Sequence, residues 1–228
     1  MKNPWTPLAR GIVISFLICS GCVSLERSAP ERHYFVIELP QGSESSSSAN
    51  DKILSVGSLR ISPRYADRSF VYRISDAGYE TDYYNQFLTA PDVMITEELR
   101  KGLAGSKLFK YVLGPADPQQ PDYVLEGSIS SLYGDFRNAS QPAAVLALEV
   151  FVYNENSGNS GIVMQKRYVK SVPLTAKTPE ALVRGWNQAL QQIAGELATD
   201  LNSANLNSRN LSPQVSPDRD TTDAATSR

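Results

Sequence analysis

The feature that most constrains this chain is a short apolar segment, Gly11 to Cys19, that closes on Ser20, Gly21 and Cys22. Lys2 and Arg10 place positive charge before it, and the small residues sit where a signal peptidase needs room. The run is far shorter than the roughly 20 apolar residues that span a bilayer, and Glu26, Arg27, Glu31 and Arg32 follow it. It is therefore expected to be a cleaved secretory signal over residues 1–21, with Cys22 as the new N-terminus and the lipid attachment point. Cys19 and Cys22 also form a C-x-x-C, but redox pairs of that kind open a helix inside a βαβ unit rather than close a signal. After cleavage one cysteine remains, so the body gains no disulfide and must be held by an ordinary packed core.

The segment resembles the bacterial lipoprotein signal, in which the cysteine after the cut carries diacylglycerol and a further acyl chain. Cys19 stands where that signal usually has leucine, and Val23, rather than aspartate, follows Cys22. The resemblance implies an outer-membrane lipoprotein facing the periplasm. Each buried methylene contributes about 0.8 kcal/mol, so several chains would hold the protein at the membrane effectively permanently.

Composition allows such a core. Of 228 residues, 41% are apolar, and the formal charge is −2. A slightly acidic balance offers no basic face for nucleic acid. Three polar stretches lack any hydrophobic period: a tether at residues 22–32, residues 41–52 with the run Ser45 to Ser48, and a tail at 202–228 with Pro213 and Pro217. The tail has too little apolar surface to offset its ordering entropy and is expected to be disordered. One domain is left, over residues 33–201.

Within it, strands are predicted at Tyr34 to Leu39, Ile53 to Ile61, Ser69 to Ile74, Phe109 to Leu113, Asp122 to Tyr133, Val145 to Tyr153 and Ile162 to Val172, all rich in β-branched and aromatic residues. In Val145 to Tyr153, Leu146, Leu148, Val150 and Val152 alternate with Glu149 and Tyr153, so the even positions pack inward. The turn-forming run Asn154 to Gly161 predicts an antiparallel hairpin with the next strand. A helix is predicted from Thr178, its cap, through Pro179 and Glu180 to about Leu201. Leu182, Trp186, Leu190, Ile193, Leu197 and Leu201 recur along it at steps of three and four, giving one apolar stripe. An earlier helix should start near Pro91 with Thr89 as cap, turn Met94, Ile95, Leu99 and Leu103 inward, pair Glu97 with Lys101 outside, and end near Gly105. The fold class is α+β: a mixed, mostly antiparallel sheet with two main helices packed on it.

Chemistry-bearing motifs are sparse. The one histidine, His33, starts a strand, and no G-x-S-x-G, H-E-x-x-H or G-x-x-x-x-G-K occurs. One histidine and an acylated cysteine cannot build a closed zinc site. Glu97 and Glu98, adjacent on a helix, diverge by about 100° and do not face one reacting atom. Neither an enzyme, nor a metal, nor a cofactor is expected. The aromatic stretch Tyr65 to Pro91 holds Tyr65, Phe70, Tyr72, Tyr79, Tyr83, Tyr84 and Phe87 among charged residues. It reads as a long loop in which some rings support the core, while Tyr83, Tyr84 or Phe87 meets a partner or a lipid directly.

The chain resembles the auxiliary lipoproteins of ABC-type transport systems, over roughly Tyr34 to Leu201. The resemblance lies in Tyr34-Phe35-Val36-Ile37-Glu38-Leu39 soon after the anchor, Phe70-Val71-Tyr72-Arg73 followed by Tyr83-Tyr84-Asn85-Gln86-Phe87 and Pro91, Leu108-Phe109, and Asp122-Tyr123-Val124-Leu125-Glu126-Gly127. Phe87 stands about where that family often has tryptophan. The resemblance implies a fold related to the N-terminal domain of TolB. It also implies work beside an ABC permease, its ATPase and an MCE-domain protein, moving lipid or other hydrophobic molecules between the two membranes, with assembly into homo-oligomeric rings in some members. Two readings stay open: an adaptor docking onto such a complex, and a free-standing carrier that shelters an acyl chain between sheet and helices. The carrier needs a lipid-sized cavity; the adaptor does not.

Overall fold

A computed structural model describes residues 31–40, 50–155 and 161–204. The chain divides into two units, Met1–Arg32 and His33–Arg228, and the fold is that of the second. The strands run β1 (His33–Phe35), β2 (Ile53–Val56), β3 (Arg60–Ile61), β4 (Ser69–Arg73), β5 (Tyr79–Phe87), β6 (Tyr111–Leu113), β7 (Tyr123–Asp135), β8 (Ala143–Asn154) and β9 (Ile162–Pro173). Helix α1 (Pro91–Gly105) lies between β5 and β6, α2 (Pro179–Ser203) follows β9, and a 3-10 turn occupies Pro63–Tyr65. The signal, Cys22, residues 41–49 and the tail from 205 onward lie outside the described residues.

The sheet is built around β7. Along one edge it is shared in series by three short parallel strands: Leu54 to Val56 of β2 pair with Tyr123 to Leu125, Arg60 and Ile61 of β3 with Ser128 and Ile129, and Tyr72 and Arg73 of β4 with Gly134 and Asp135. Its other edge pairs antiparallel with β8 along almost the whole strand, and β8 pairs antiparallel with β9. Beyond β2 lies β6; beyond β4 lie β5 and then β1. The antiparallel ladders carry the long registers and the parallel ones the short, so the α+β layout with a mixed sheet holds.

Both helices bury their apolar stripes. The even residues of β8, Leu146 to Val152, have no exposed surface, and neither do Leu182, Trp186, Leu190, Ile193 and Leu197 of α2. Phe70 and Phe87 lie against Trp186 at ring separations of 5.0 and 5.3 Å, and the indole Nε1–H donates to the Val145 carbonyl. Thr178 caps α2 as expected, accepting from the Ala181 amide at 3.2 Å. No helix among the described residues is long and apolar enough to cross a membrane.

Besides the strand expected at Tyr34 to Leu39, which ends at Phe35, four local expectations change. The run Ile53 to Ile61 is two strands, because the Gly57 amide still reaches the Leu125 carbonyl but the Leu59 amide turns to Thr96 Oγ1 on α1. Ala90, not Thr89, occupies the N-cap of α1, and no side chain caps it. The surface pairs on α1 are Glu97 with Arg100 and Glu98 with Lys101, each three residues apart, instead of Glu97 with Lys101. Glu98 is largely buried because its carboxylate also accepts the Leu39 amide at 2.8 Å. The fourth change is β5, a nine-residue strand in the stretch read as a loop.

Candidate functional site

Strands β4 and β5 start as a regular antiparallel pair, with Arg73 opposite Tyr79, Tyr72 opposite Glu80 and Val71 opposite Thr81. The register then slips, so that Ser69 faces Gln86. Residues 82–85 of β5 therefore have only Phe70 to match them on β4, and the extra backbone is pushed out of the ladder.

Asp82 holds this bulge together. Its Oδ1 accepts the backbone N–H groups of Tyr84 at 2.8 Å and Asn85 at 3.0 Å. Its Oδ2 accepts the Tyr72 hydroxyl at 2.6 Å and Asn85 Nδ2 at 2.8 Å. Two amides freed from the ladder thus regain partners, which buried or half-buried backbone requires. Burial pulls the Asp82 carboxyl upward, but the bonds from Tyr72, Asn85 and Tyr84 outweigh it and hold its pKa below the ordinary value. Burial, and then the bond to Asp82, push the Tyr72 hydroxyl well up, so it stays protonated and donating.

A depressed folded pKa stabilises the fold above the unfolded value of about 3.9 and loses that contribution as pH falls through the folded value. Asp82→Asn should remove this part and cost about 1.5–3 kcal/mol near neutral pH, the range for hydrogen bonds to a charged group. Asp135 and Asp200 are also held low, by Arg137 and by Lys166 with Tyr168 against burial, so the wild type loses stability in acid for several reasons. Urea unfolding of wild type and Asp82→Asn from neutral pH down to about pH 3 isolates Asp82, because the gap between the two should close only in acid. A gap that is constant with pH would refute the role.

The bulge displays two of the three aromatics singled out in the sequence. Tyr83 is 61% and Tyr84 41% exposed, and their rings meet edge to face at 5.2 Å. Phe87 goes the other way: it is 2% exposed and sits 4.7 Å from the Phe70 ring, so its side chain belongs to the core. Strand β1 lies directly beside the bulge, with His33 opposite Asn85, Tyr34 opposite Gln86 and Phe35 opposite Phe87. Arg68 closes the surface, donating from Nη1 to the Leu88 carbonyl at 3.1 Å with its guanidinium 5.9 Å from the Tyr34 ring centre. Tyr34 and Leu88 are about half exposed. Sequence reasoning placed Tyr34 in a strand without a contact role and passed over Arg68 and Leu88, whose only signal was adjacency to strand ends.

Elsewhere the described residues hold no group of three or more His, Cys, Asp or Glu side chains placed to bind a metal. His33 is exposed on β1. A depression of about 470 Å³ beside α2, open to solvent, is lined by Glu38, Leu39, Pro40, Arg184, Asn187, Gln188 and Gln191.

Residues 35–198 match the model of the ABC-type transport auxiliary lipoprotein component family. The chain belongs to this family. The auxiliary-lipoprotein fold is also that of protein XCC0632 from Xanthomonas campestris, at TM-score 0.66 and 14% identity, covering 75% of this chain and 95% of the other. A second crystal structure, of an uncharacterized protein, gives TM-score 0.61 at 14% identity over 75% and 99% of the two chains. No curated protein matches the sequence. As a member of this family the chain is an auxiliary lipoprotein of ABC-type transport, a component of the cell envelope.

Proposed function

We propose that this auxiliary lipoprotein is an adaptor, held by acyl chains on Cys22 at the outer membrane and facing the periplasm, that serves an ABC permease, its ATPase and an MCE-domain protein. The system would move lipid or other hydrophobic molecules between the membranes, and the lipoprotein would have no catalytic step. Tyr83 and Tyr84 are the residues through which its folded body makes contact outside itself.

The observation that favours an adaptor over a carrier is the filled space between sheet and helices. Side chains lining a cavity wide enough for an acyl chain would leave surface that a water-sized sphere could touch. Leu54, Phe70, Ile95, Leu99, Leu148 and Trp186 leave none. A carrier would also need a mouth to that space, and the depression beside α2 is wide open to solvent rather than an enclosed pocket.

Affinity purification of the intact lipoprotein from membranes in mild detergent, with mass spectrometry of what is retained, should recover a permease, ATPase or MCE-domain protein. Recovery of none of them, together with extractable lipid bound to the folded body, would replace the adaptor by the carrier. The anchor has its own test. Intact mass should begin at an acylated Cys22, and Cys22→Ala should carry no acyl mass. Wild-type protein retaining Met1, or bearing a free thiol at position 22, would remove the anchor.

A further inference from the structure

The surface at the β1–β5 edge pairs exposed aromatics with a cation and sits where the chain joins the fold. Tyr34 is 49%, Tyr83 61%, Tyr84 41% and Leu88 52% exposed. The carboxylate within this surface, Asp82, is turned inward and spends all its contacts on Tyr72, Tyr84 and Asn85. Arg68 uses one N–H on the Leu88 carbonyl and leans on the Tyr34 ring, which leaves the rest of its donor fork outward. Beside it, the Asp67 carboxylate accepts the Ser69 amide.

Resting on the anchor proposed above, we infer that this edge is a second membrane-contact surface. Tyr34, Tyr83, Tyr84 and Leu88 lie against the headgroup layer of the bilayer that holds the acyl chains, and Arg68 meets a lipid phosphate.

Three considerations choose the bilayer as occupant. The first is reach. Between Cys22 and His33 the chain can span at most about 40 Å even fully extended, and it joins the fold at β1, inside the patch. The second is chemistry. Tyrosine, with an apolar ring and a polar tip, settles at the membrane–water interface, and arginine adds attraction to phosphate. The third is strength. Four exposed side chains and one arginine fall far short of the roughly 20–30 residues per side of a stable protein interface. A contact closed by a tether need only be weak, because the tether keeps the local concentration of lipid high.

The consequence is an orientation. Strand β9 lies at the opposite edge of the sheet, five strand spacings or about 24 Å from β1, and would face the periplasm.

The test uses the acylated protein reconstituted in vesicles of phosphatidylethanolamine and phosphatidylglycerol, some with brominated acyl chains that quench nearby tryptophan. Trp186 is fully buried and gives the same background throughout. Tyr83→Trp and Tyr34→Trp should each lose emission on brominated lipid. Val169→Trp, at a site on β9 that is 56% exposed, should lose none. Two substituted positions are used so that one remains if the other variant fails to fold. Vesicle flotation and intact mass are read on the same samples. Acylated protein that floats but shows equal quenching at 34, 83 and 169, or none at 34 and 83, overturns the inference and leaves the anchor standing. Protein that neither carries acyl chains nor floats overturns both.

Discussion

Trp186→Ala should lower the stability of the folded domain by about 3–5 kcal/mol, the range for truncating a fully buried tryptophan. Trp186 has no exposed surface and is the side chain at which α2, β4, β5 and β8 meet. Its removal opens a cavity beside Phe70 and Phe87 and leaves the Val145 carbonyl without the indole donor. Urea unfolding followed by circular dichroism reads the change as a fall in midpoint at unchanged slope. Tyr83→Ala, on the exposed bulge, should stay within about 0.5 kcal/mol of wild type. If the two variants lose similar stability, the packing described for α2 is wrong.

The second large effect is a pair of glycine substitutions with opposite signs. At Gly127 in β7, an added Cβ would lie 2.4 Å from the carbonyl oxygen of Glu149 and 3.1 Å from Leu59 Cδ2. That oxygen is backbone in the middle of the β7–β8 ladder, so it cannot step aside without shifting the sheet. Gly127→Ala should cost about 1–3 kcal/mol, as overpacking does. At Gly195 in α2 an added Cβ meets nothing within 4 Å. Gly195→Ala should therefore gain up to about 1 kcal/mol from helix propensity alone. Thermal melting of the two proteins decides it; a Gly127→Ala protein as stable as wild type would refute the close approach.

Helix α2 was legible in the sequence because its signals agree: a threonine cap, a proline in the first turn and six large apolar residues at helical spacing. The β8–β9 hairpin was legible because strict alternation leads into a run of turn residues. Strand β5 was not, since residues 82–85 leave the ladder and break the alternation on which a strand reading depends. The same slip explains the aromatics. A bulge changes which face each later residue takes, so Tyr83 and Tyr84 point out while Phe87 points into the core, although all three look alike in sequence. The work of Asp82 is likewise invisible before the bulge exists, because its partners are backbone groups that a regular strand would have used. Nor does any local pattern show that β2, β3 and β4 share one edge of β7; parallel pairing across 60 residues or so leaves no short-range trace.

That shared edge has a consequence for how the protein matures. Every strand from β2 to β4 rests on a template that is translated later, with Leu54 waiting for Tyr123 and Arg73 for Asp135. A chain emerging from its amino end can pair β2 with β6 and β4 with β5, but the strand that joins these pairs into one sheet is incomplete until Asp135 has followed. Completing the sheet is therefore a late event paced by long loop closures. During that interval the uncovered edges of the early strands are what a chaperone would have to shield.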